Sequence, residues 1–259
     1  MGHIRLGGLP MTLRWQAVVG LLDESPANVP AVARATIEAA EGHLRALSRD
    51  PSVGYCFWLL TRVSWASRSA DFQAALSDLG LSARETDSAL TFISQLSDRV
   101  RAELVRYPAS GPFSEIASLA LRRALSETVG QEGRSLFGTS LEDLQAAFRR
   151  YSSPMRFSAL AKSFFGDFLS RTLRFFVEKE LSNNVGAGHR LTGVEASREF
   201  TAGLDLYARQ SARIMEEFAG GWYGKHNWES KGQIGREEAQ RFVAVALTKL
   251  RMELSRSQP

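Results

Sequence analysis

The stretch SPMRFSALAKSFFGDFLSRTLRFFVEKELSN (Ser153–Asn183) carries the clearest structural pattern in this chain. Its apolar residues recur every three or four positions, which is the spacing of one face of an α-helix. Pro154 suits the first turn of such a helix, where a backbone amide has no partner within the helix. The apolar face is unusually aromatic and consists of Leu160, Phe164, Phe165, Phe168, Leu169, Leu173, Phe176 and Val177. The pattern predicts a long core helix from Pro154 to about Asn183.

Helical spacing continues through the rest of the chain. PAVARATIEAAEGHLRALS (Pro30–Ser48) follows Asn28, a candidate N-terminal cap. VGYCFWLLTRVSWAS (Val53–Ser67) is apolar on nearly every side, as expected of a buried helix. No segment alternates apolar and polar residues for long enough to predict a strand. The predicted fold is therefore all-α, an irregular multi-helix bundle of roughly eight to ten helices.

One cluster of helix-breaking residues interrupts this pattern. YPASGP (Tyr107–Pro112) combines two prolines with a glycine, which favours a loop. It predicts an N-terminal helical subdomain over residues 1–106 and a C-terminal helical subdomain over residues 107–259. A chain of 259 residues also fits one continuous domain, and this alternative stays open.

Composition excludes several classes of protein. A single cysteine, Cys56, excludes an internal disulfide framework and a multi-thiolate metal site. No stretch approaches the roughly 20 apolar residues of a membrane-spanning helix, and the N-terminal residues lack a signal-peptide pattern. With 27 arginines against 5 lysines and many alanines, the composition indicates a bias in coding composition, since arginine and lysine serve equally on most solvated faces. We expect a cytoplasmic protein with no membrane partner.

The motifs of common enzymes are also missing. None of the histidines (His3, His43, His189 and His226) has a histidine or carboxylate four residues away, as a metal site on one helix requires. NVGAGHR (Asn184–Arg190) lacks the strand and the G-K-[ST] ending of a phosphate-binding loop. We therefore predict no catalytic residue, metal or cofactor. An enzyme that assembles carboxylates or arginines from separate helices remains a third interpretation.

Positive charge is concentrated in the C-terminal half. The formal charge of the chain is +4, and residues 149–190 alone hold eight basic and three acidic residues, a net of +5. Cations without a neighbouring opposite charge in sequence are Arg149, Arg150, Arg156 and Lys162, and Tyr151 is the aromatic residue expected to stand outside beside them. Basic clusters of this kind bind phosphate backbones. These residues are the candidate DNA- or RNA-binding site.

The most distinctive chemistry lies in FAGGWYGKHNW (Phe218–Trp228). Together with ESKGQIG it places five glycines between Gly220 and Gly235, which predicts a long ordered loop between two helices. Two accounts of its aromatic residues stay open: they fill a gap in the core, or they present a surface to a partner. The candidate partner-binding residues are Trp222, Tyr223, Lys225, Trp228 and Lys231.

The leading functional interpretation is a non-enzymatic helical binding or adaptor subunit of a larger prokaryotic cytoplasmic protein assembly, with other protein subunits as partners. It depends on the glycine-aromatic segment and on the missing enzyme motifs. The alternative is a nucleic-acid-binding helical subunit of a prokaryotic defence or DNA-processing complex. That alternative depends on the basic C-terminal half.

Overall fold

The computed structural model describes residues 13–22, 28–82, 89–107, 111–132, 140–183 and 194–256. All regular secondary structure in these ranges is helical, which confirms the predicted all-α multi-helix fold. The helices are α1 (Leu13–Leu22), α2 (Val29–Ala39), α3 (Glu41–Leu47), α4 (Pro51–Ala66), α5 (Phe72–Ser77), α6 (Ala89–Leu104), α7 (Pro112–Glu127), α8 (Val129–Glu132), α9 (Leu141–Arg150), α10 (Pro154–Asn183), α11 (Val194–Ser211), α12 (Met215–Glu229) and α13 (Arg236–Arg256), with a 3-10 turn at Ala212–Ile214.

The central element is α10, which has the bounds that its sequence predicts. Its 30 residues make it about 45 Å long. Helices α7, α11 and α12 pack along it, and its phenylalanines at 157, 164, 165 and 168 are buried. This agreement follows from two local signals, a proline in the first turn and a sustained apolar face.

The second core helix is α4, which packs against α7 and α13. Phe57 at its centre contacts the rings of Phe165 and Phe242, with centroids 5.3 and 4.9 Å away. Its first turn contains a proline and is capped by Asp50, whose carboxylate accepts a hydrogen bond from the Ser52 amide at 2.8 Å. Aromatic packing between α4, α10 and α13 therefore forms the centre of the bundle.

The predicted boundary near residue 107 does not divide the core. The larger buried cluster contains Leu60 from the N-terminal side and Leu121, Phe164 and Leu250 from the C-terminal side. Residues 108–110 of the predicted loop lie outside the described residues. The division into two subdomains stays a prediction, and a core shared by both sides favours one continuous domain.

Two predicted helices are shorter than expected. The helix predicted over 30–48 is divided at Ala40 into α2 and α3, and Asn28 caps its start by accepting a hydrogen bond from the Ala31 amide at 3.1 Å. The sequence after about Thr192 also predicts one helix that continues to about Phe218, but the 3-10 turn at Ala212–Ile214 interrupts it. Neither interruption carries a glycine or proline, so sequence spacing alone does not reveal it.

The predicted loop from Gly220 to Gly235 is wrong. Helix α12 runs through Gly220, Gly221 and Gly224, and it ends only at Glu229. A side-chain carbon at Gly220 would lie 2.5 Å from the Pro154 carbonyl oxygen, and one at Gly224 would lie 3.0 Å from the Pro154 ring. These two glycines therefore allow α12 to approach the start of α10 closely. Helix packing outweighs the roughly 1 kcal/mol that each glycine costs relative to alanine.

A tight turn joins α12 to α13. Lys231 and Gly232 adopt the left-handed conformation, with φ of 51° and 82°. The Gly232 amide donates to the carbonyl of Asn227 at 2.8 Å, which is the hydrogen bond of a Schellman helix end. Gly232 also lies against the Trp65 indole, where no side chain fits. After this turn the chain reverses, and side chains of α13 contact those of α12, as in the pairs Glu238 with His226 and Phe242 with Trp222.

Candidate functional site

Helix α12 presents one exposed side, which we call the Trp228 face and define as Gly221, Lys225 and Trp228. Gly221 and Trp228 are seven residues apart and so lie on one line along the helix. The Trp228 side chain is 83% exposed. At Gly221 an added side-chain carbon would meet no atom within 4 Å. The face is therefore open to solvent along two turns of the helix.

The structure separates the predicted partner-binding residues. Tyr223 is fully buried, and its ring stacks on that of Phe157 at 3.8 Å between centroids. The prediction that Tyr223 is exposed to a partner is therefore wrong. In the helix, position 223 lies on the same buried side as Met215, Ala219 and Asn227. Sequence reasoning missed this because it treated the segment as a loop, whereas the four-residue spacing of these side chains is a helical signal.

Trp222 occupies an intermediate position. It is half-buried, and its ring lies 4.3 Å from Phe242, 5.2 Å from His226 and 5.7 Å from Phe57, measured between centroids. Most contacts of Trp222 are therefore those of a residue that fills a gap in the core. Its remaining exposed edge lines a groove between α12 and α13.

The predicted cationic rim is on the surface. Lys225 lies on the Trp228 face with 68% of its side chain exposed, and its ammonium is 3.8 Å from the Glu229 carboxylate. Lys231 is exposed in the turn that follows α12. An exposed pair at this spacing contributes only a few tenths of a kcal/mol, so Lys225 is free to exchange partners.

The candidate nucleic-acid site borders the same helix. Pro154 packs on Gly220 and Gly224 of α12, and the next two residues, Met155 and Arg156, are exposed. Arg149 and Arg150 are exposed at the end of α9, directly before this segment. Folding thus brings the two predicted sites to neighbouring elements, although they are about 70 residues apart in sequence.

Two of the expectations for that basic cluster are corrected. Lys162 is not unpaired, because its ammonium lies 2.7 Å from the Glu216 carboxylate at the start of α12. Tyr151 does not stand outside, since it is 7% exposed and belongs to the larger buried cluster. The remaining exposed cations are Arg149, Arg150 and Arg156.

A groove of about 380 Å³ runs between α12 and α13. Its floor is aromatic, and at one end the His226 Nδ1 and a Glu238 oxygen are 2.5 Å apart. The groove is lined by Phe218, Trp222, His226, Glu238, Arg241, Phe242 and Val245. Sequence reasoning missed the histidine–carboxylate pair because the two residues are twelve apart and meet only through the turn between the two helices.

A buried ion cluster joins α6 to α13. The Glu103 side chain is 1% exposed, and guanidinium groups of Arg236, Arg99 and Arg106 lie 2.6, 3.3 and 3.4 Å from its oxygens. Burial by itself raises the pKa of Glu103, but the hydrogen bonds and charges of Arg236 and Arg99 outweigh it and hold the pKa below its usual range. We interpret this cluster as structural, because each oxygen of Glu103 is already occupied by arginines.

A second cavity, of about 480 Å³, lies at the end of α4. Charged side chains of both signs line it, namely Arg62, Arg68, Asp71 and Asp78. The Arg68 guanidinium lies 4.6 Å from the centre of the Trp65 ring, and an Arg62 nitrogen donates to Gln233. Two positive and two negative side chains therefore give the lining no net formal charge.

The described residues offer little to catalysis by thiols or metals. Burial raises the pKa of the Cys56 thiol, which opposes thiolate formation. The described ranges contain no group of three or more His, Cys, Asp or Glu residues placed to hold a metal ion.

In the same ranges no helix has the length and apolar character needed to cross a bilayer. No protein-family model, curated protein or solved structure matches the chain.

Proposed function

We propose that the protein acts by binding another protein, as a non-enzymatic subunit or adaptor of a larger cytoplasmic assembly. The Trp228 face forms the contact, with Lys231 at its rim. The observation that carries this proposal is the 83% exposure of Trp228 on a helix whose other large aromatic residues are buried or half-buried. Tryptophan is enriched among residues whose truncation costs about 2 kcal/mol or more of binding free energy.

Gly221 supports the same surface. An exposed glycine inside a helix lowers stability by about 1 kcal/mol relative to alanine. Pro154 explains the neighbouring Gly220 and Gly224, but no atom of the described chain comes within 4 Å of a side-chain carbon at Gly221. A partner backbone that approaches α12 closely at this point, beside the Trp228 ring, explains why the position lacks a side chain.

Co-purification from the native cell tests this proposal. Tagged wild type, Trp228→Ala and Gly221→Ala proteins are compared with Val105→Ala, a control at another large apolar residue that is 78% exposed. We expect the first two variants to melt at or above the wild-type temperature but to lose the partner, whereas the control retains it. Retention of every co-purifying protein by Trp228→Ala would overturn the proposal.

A second candidate function, nucleic-acid binding, is favoured by one observation. Arg149 and Arg156 are exposed on the segments beside Pro154, which packs directly on α12. Cations beside an exposed tryptophan fit a single-stranded nucleic acid, because bases stack on aromatic rings while phosphates bind arginine and lysine. A protein partner explains Gly221 better, so we rank nucleic acid second.

A further inference from the structure

The groove between α12 and α13 has features that the Trp228 face does not share. Long aromatic side chains bridge the two helices: Phe218 and Trp222 of α12 have ring centroids 5.4 and 4.3 Å from that of Phe242 of α13. Phe242 is 4% exposed and forms the floor, while Val245 is 50% exposed and forms one wall. The result is a concave apolar channel between the two helices.

Cations flank this channel. Arg241 and Lys249 are exposed and eight residues apart on α13, which corresponds to about 12 Å along the helix. The Lys249 ammonium lies 5.1 Å from the centre of the Phe218 ring. Neither cation forms an ion pair with a carboxylate within the described part of the chain. Two positive charges on one side of the channel are therefore available to an acidic partner.

The carboxylates nearest to the groove already have basic neighbours. Glu238 lies at the opposite end, where His226 holds it at 2.5 Å. Glu229 lies 3.7 Å from the same imidazole and 3.8 Å from Lys225.

Two further carboxylates of α13, Glu237 and Glu253, lie four residues from Arg241 and Lys249, but neither forms an ion pair with these cations in the described part of the chain. Arg241 and Lys249 can therefore pair with acidic groups of a partner.

We propose that this groove seats an acidic amphipathic α-helix of the partner protein. Its apolar stripe packs on Phe218, Trp222 and Val245, and two acidic side chains about two turns apart meet Arg241 and Lys249. This inference rests on the proposed protein-binding function and specifies the chemistry of the partner. Amphipathic helices bind apolar grooves through residues spaced three, four and seven apart.

The shape of the surface favours a helix over a lipid bilayer. Peripheral proteins that bind anionic membranes insert a projecting apolar face between the lipids. Here the aromatic rings lie at the floor of a channel between two helices, and the floor residue Phe242 is almost fully covered. A narrow ridge such as one helix reaches them, whereas a flat membrane surface does not.

Two designed helical peptides test the proposal by fluorescence anisotropy. Both carry the same leucine stripe, but one has glutamates and the other lysines at two flanking positions eight residues apart. We expect wild type to prefer the glutamate peptide by about tenfold or more, since two favourable charge contacts replace two repulsive ones. Val245→Asp should abolish binding, because it places a charge in the apolar channel without altering the core.

Charge reversal is the sharper test. The Arg241→Glu/Lys249→Glu variant should reverse the preference and bind the lysine peptide. The matched Arg49→Glu/Arg122→Glu variant changes the same charge at exposed sites elsewhere and should behave like wild type. Failure of wild type to bind the glutamate peptide, or an equal response to both peptides, would overturn the proposal.

Other occupants give different results. Binding of anionic phosphatidylserine vesicles that the double charge reversal abolishes, without peptide binding, would assign the groove to a membrane surface. Dimerisation in sedimentation that Val245→Asp abolishes would assign it to a second copy of the chain. Either result overturns the helix proposal. If only this proposal fails, Trp228→Ala still loses its partner in co-purification; if protein binding itself is wrong, that variant retains whatever wild type retains.

Discussion

The ring of Tyr223 stacks on that of Phe157 with centroids 3.8 Å apart and planes 11° from parallel. Phe157 lies in the first turns of α10, so this pair joins α12 to the start of the central helix. The Tyr223 hydroxyl is buried and has no hydrogen-bond partner among the described residues. Its burial raises the pKa of Tyr223 and leaves a polar group without the hydrogen bonds that water provides in the unfolded chain.

Tyr223→Phe should raise the free energy of unfolding by about 1 kcal/mol, because it keeps the stacked ring and removes an unsatisfied hydroxyl. Tyr223→Ala should lower the same quantity by about 3–5 kcal/mol, as expected when a large buried aromatic side chain is removed. Urea denaturation measures both changes. A Tyr223→Phe protein that is clearly less stable than wild type would mean that the hydroxyl has a partner.

The two tryptophans of α12 should differ in their contribution to stability. We expect Trp222→Ala to lower the free energy of unfolding by about 3 kcal/mol, since its ring packs on Phe242 and Phe57. Trp228→Ala should change it by less than about 0.5 kcal/mol, because its side chain is 83% exposed. Thermal melting of the two variants beside wild type measures this difference. Similar losses from both would contradict the assigned positions.

The parts of the fold that sequence predicts are those with local signals. Pro154 and the aromatic face of α10 lie within one segment, and the predicted helix has the observed bounds. Helix α12 could not be predicted in this way, because the contact that accommodates Gly220 and Gly224 comes from Pro154, more than sixty residues earlier. A glycine that breaks an isolated helix becomes favourable where another backbone must come close.

The candidate site is likewise predictable from the sequence only where its signals are local. Aromatic and cationic residues in one segment correctly drew attention to α12, but only the helical register separates the buried Tyr223 from the exposed Trp228. The contacts of His226 with Glu238 and of Lys162 with Glu216 join different helices. Such pairs depend on how helices cross, and no spacing within one helix reveals them.

Adjacent glycines should respond oppositely to alanine. Gly221→Ala should raise the free energy of unfolding by about 1 kcal/mol, because the added methyl meets no atom and alanine favours the helix. Gly220→Ala should lower it by about 1–3 kcal/mol, since the methyl would lie 2.5 Å from the Pro154 carbonyl oxygen and push the helices apart. Urea denaturation distinguishes the two. Destabilisation by both would show that α12 is more tightly covered at Gly221 than described.

The nucleic-acid alternative makes a separate prediction. If DNA or RNA binds beside α12, joint substitution of Arg149, Arg150, Arg156, Lys225 and Lys231 by glutamate should abolish gel retardation. Wild-type affinity should also fall steeply with salt, because phosphate contacts release condensed counterions. Both single- and double-stranded probes are needed at low salt. Absence of any retardation of either probe by wild type would eliminate this function.

The Glu103 cluster predicts how stability depends on pH. Because the arginines lower the pKa of Glu103 in the folded protein, its carboxylate contributes fully to the free energy of unfolding at pH values above its pKa in the unfolded chain, about 4.3. That contribution is lost as the pH falls below 4.3 and through the lower folded value, where the carboxylate takes up a proton. Glu103→Gln should therefore lower the free energy of unfolding by about 2 kcal/mol at pH 7, since it removes the charge-assisted hydrogen bonds that the buried carboxylate accepts from partly exposed guanidinium groups.

The difference between Glu103→Gln and wild type should shrink in acid, because both side chains are then uncharged. Urea denaturation at pH 7 and again near pH 3 measures this convergence. Asp98→Asn is the matched control: its pair with Arg101 lies on the same helix, but the Asp98 side chain is 68% exposed, so we expect little change at either pH. A Glu103→Gln deficit that stays constant between the two pH values would show that the carboxylate charge is not what stabilises the contact between α6 and α13.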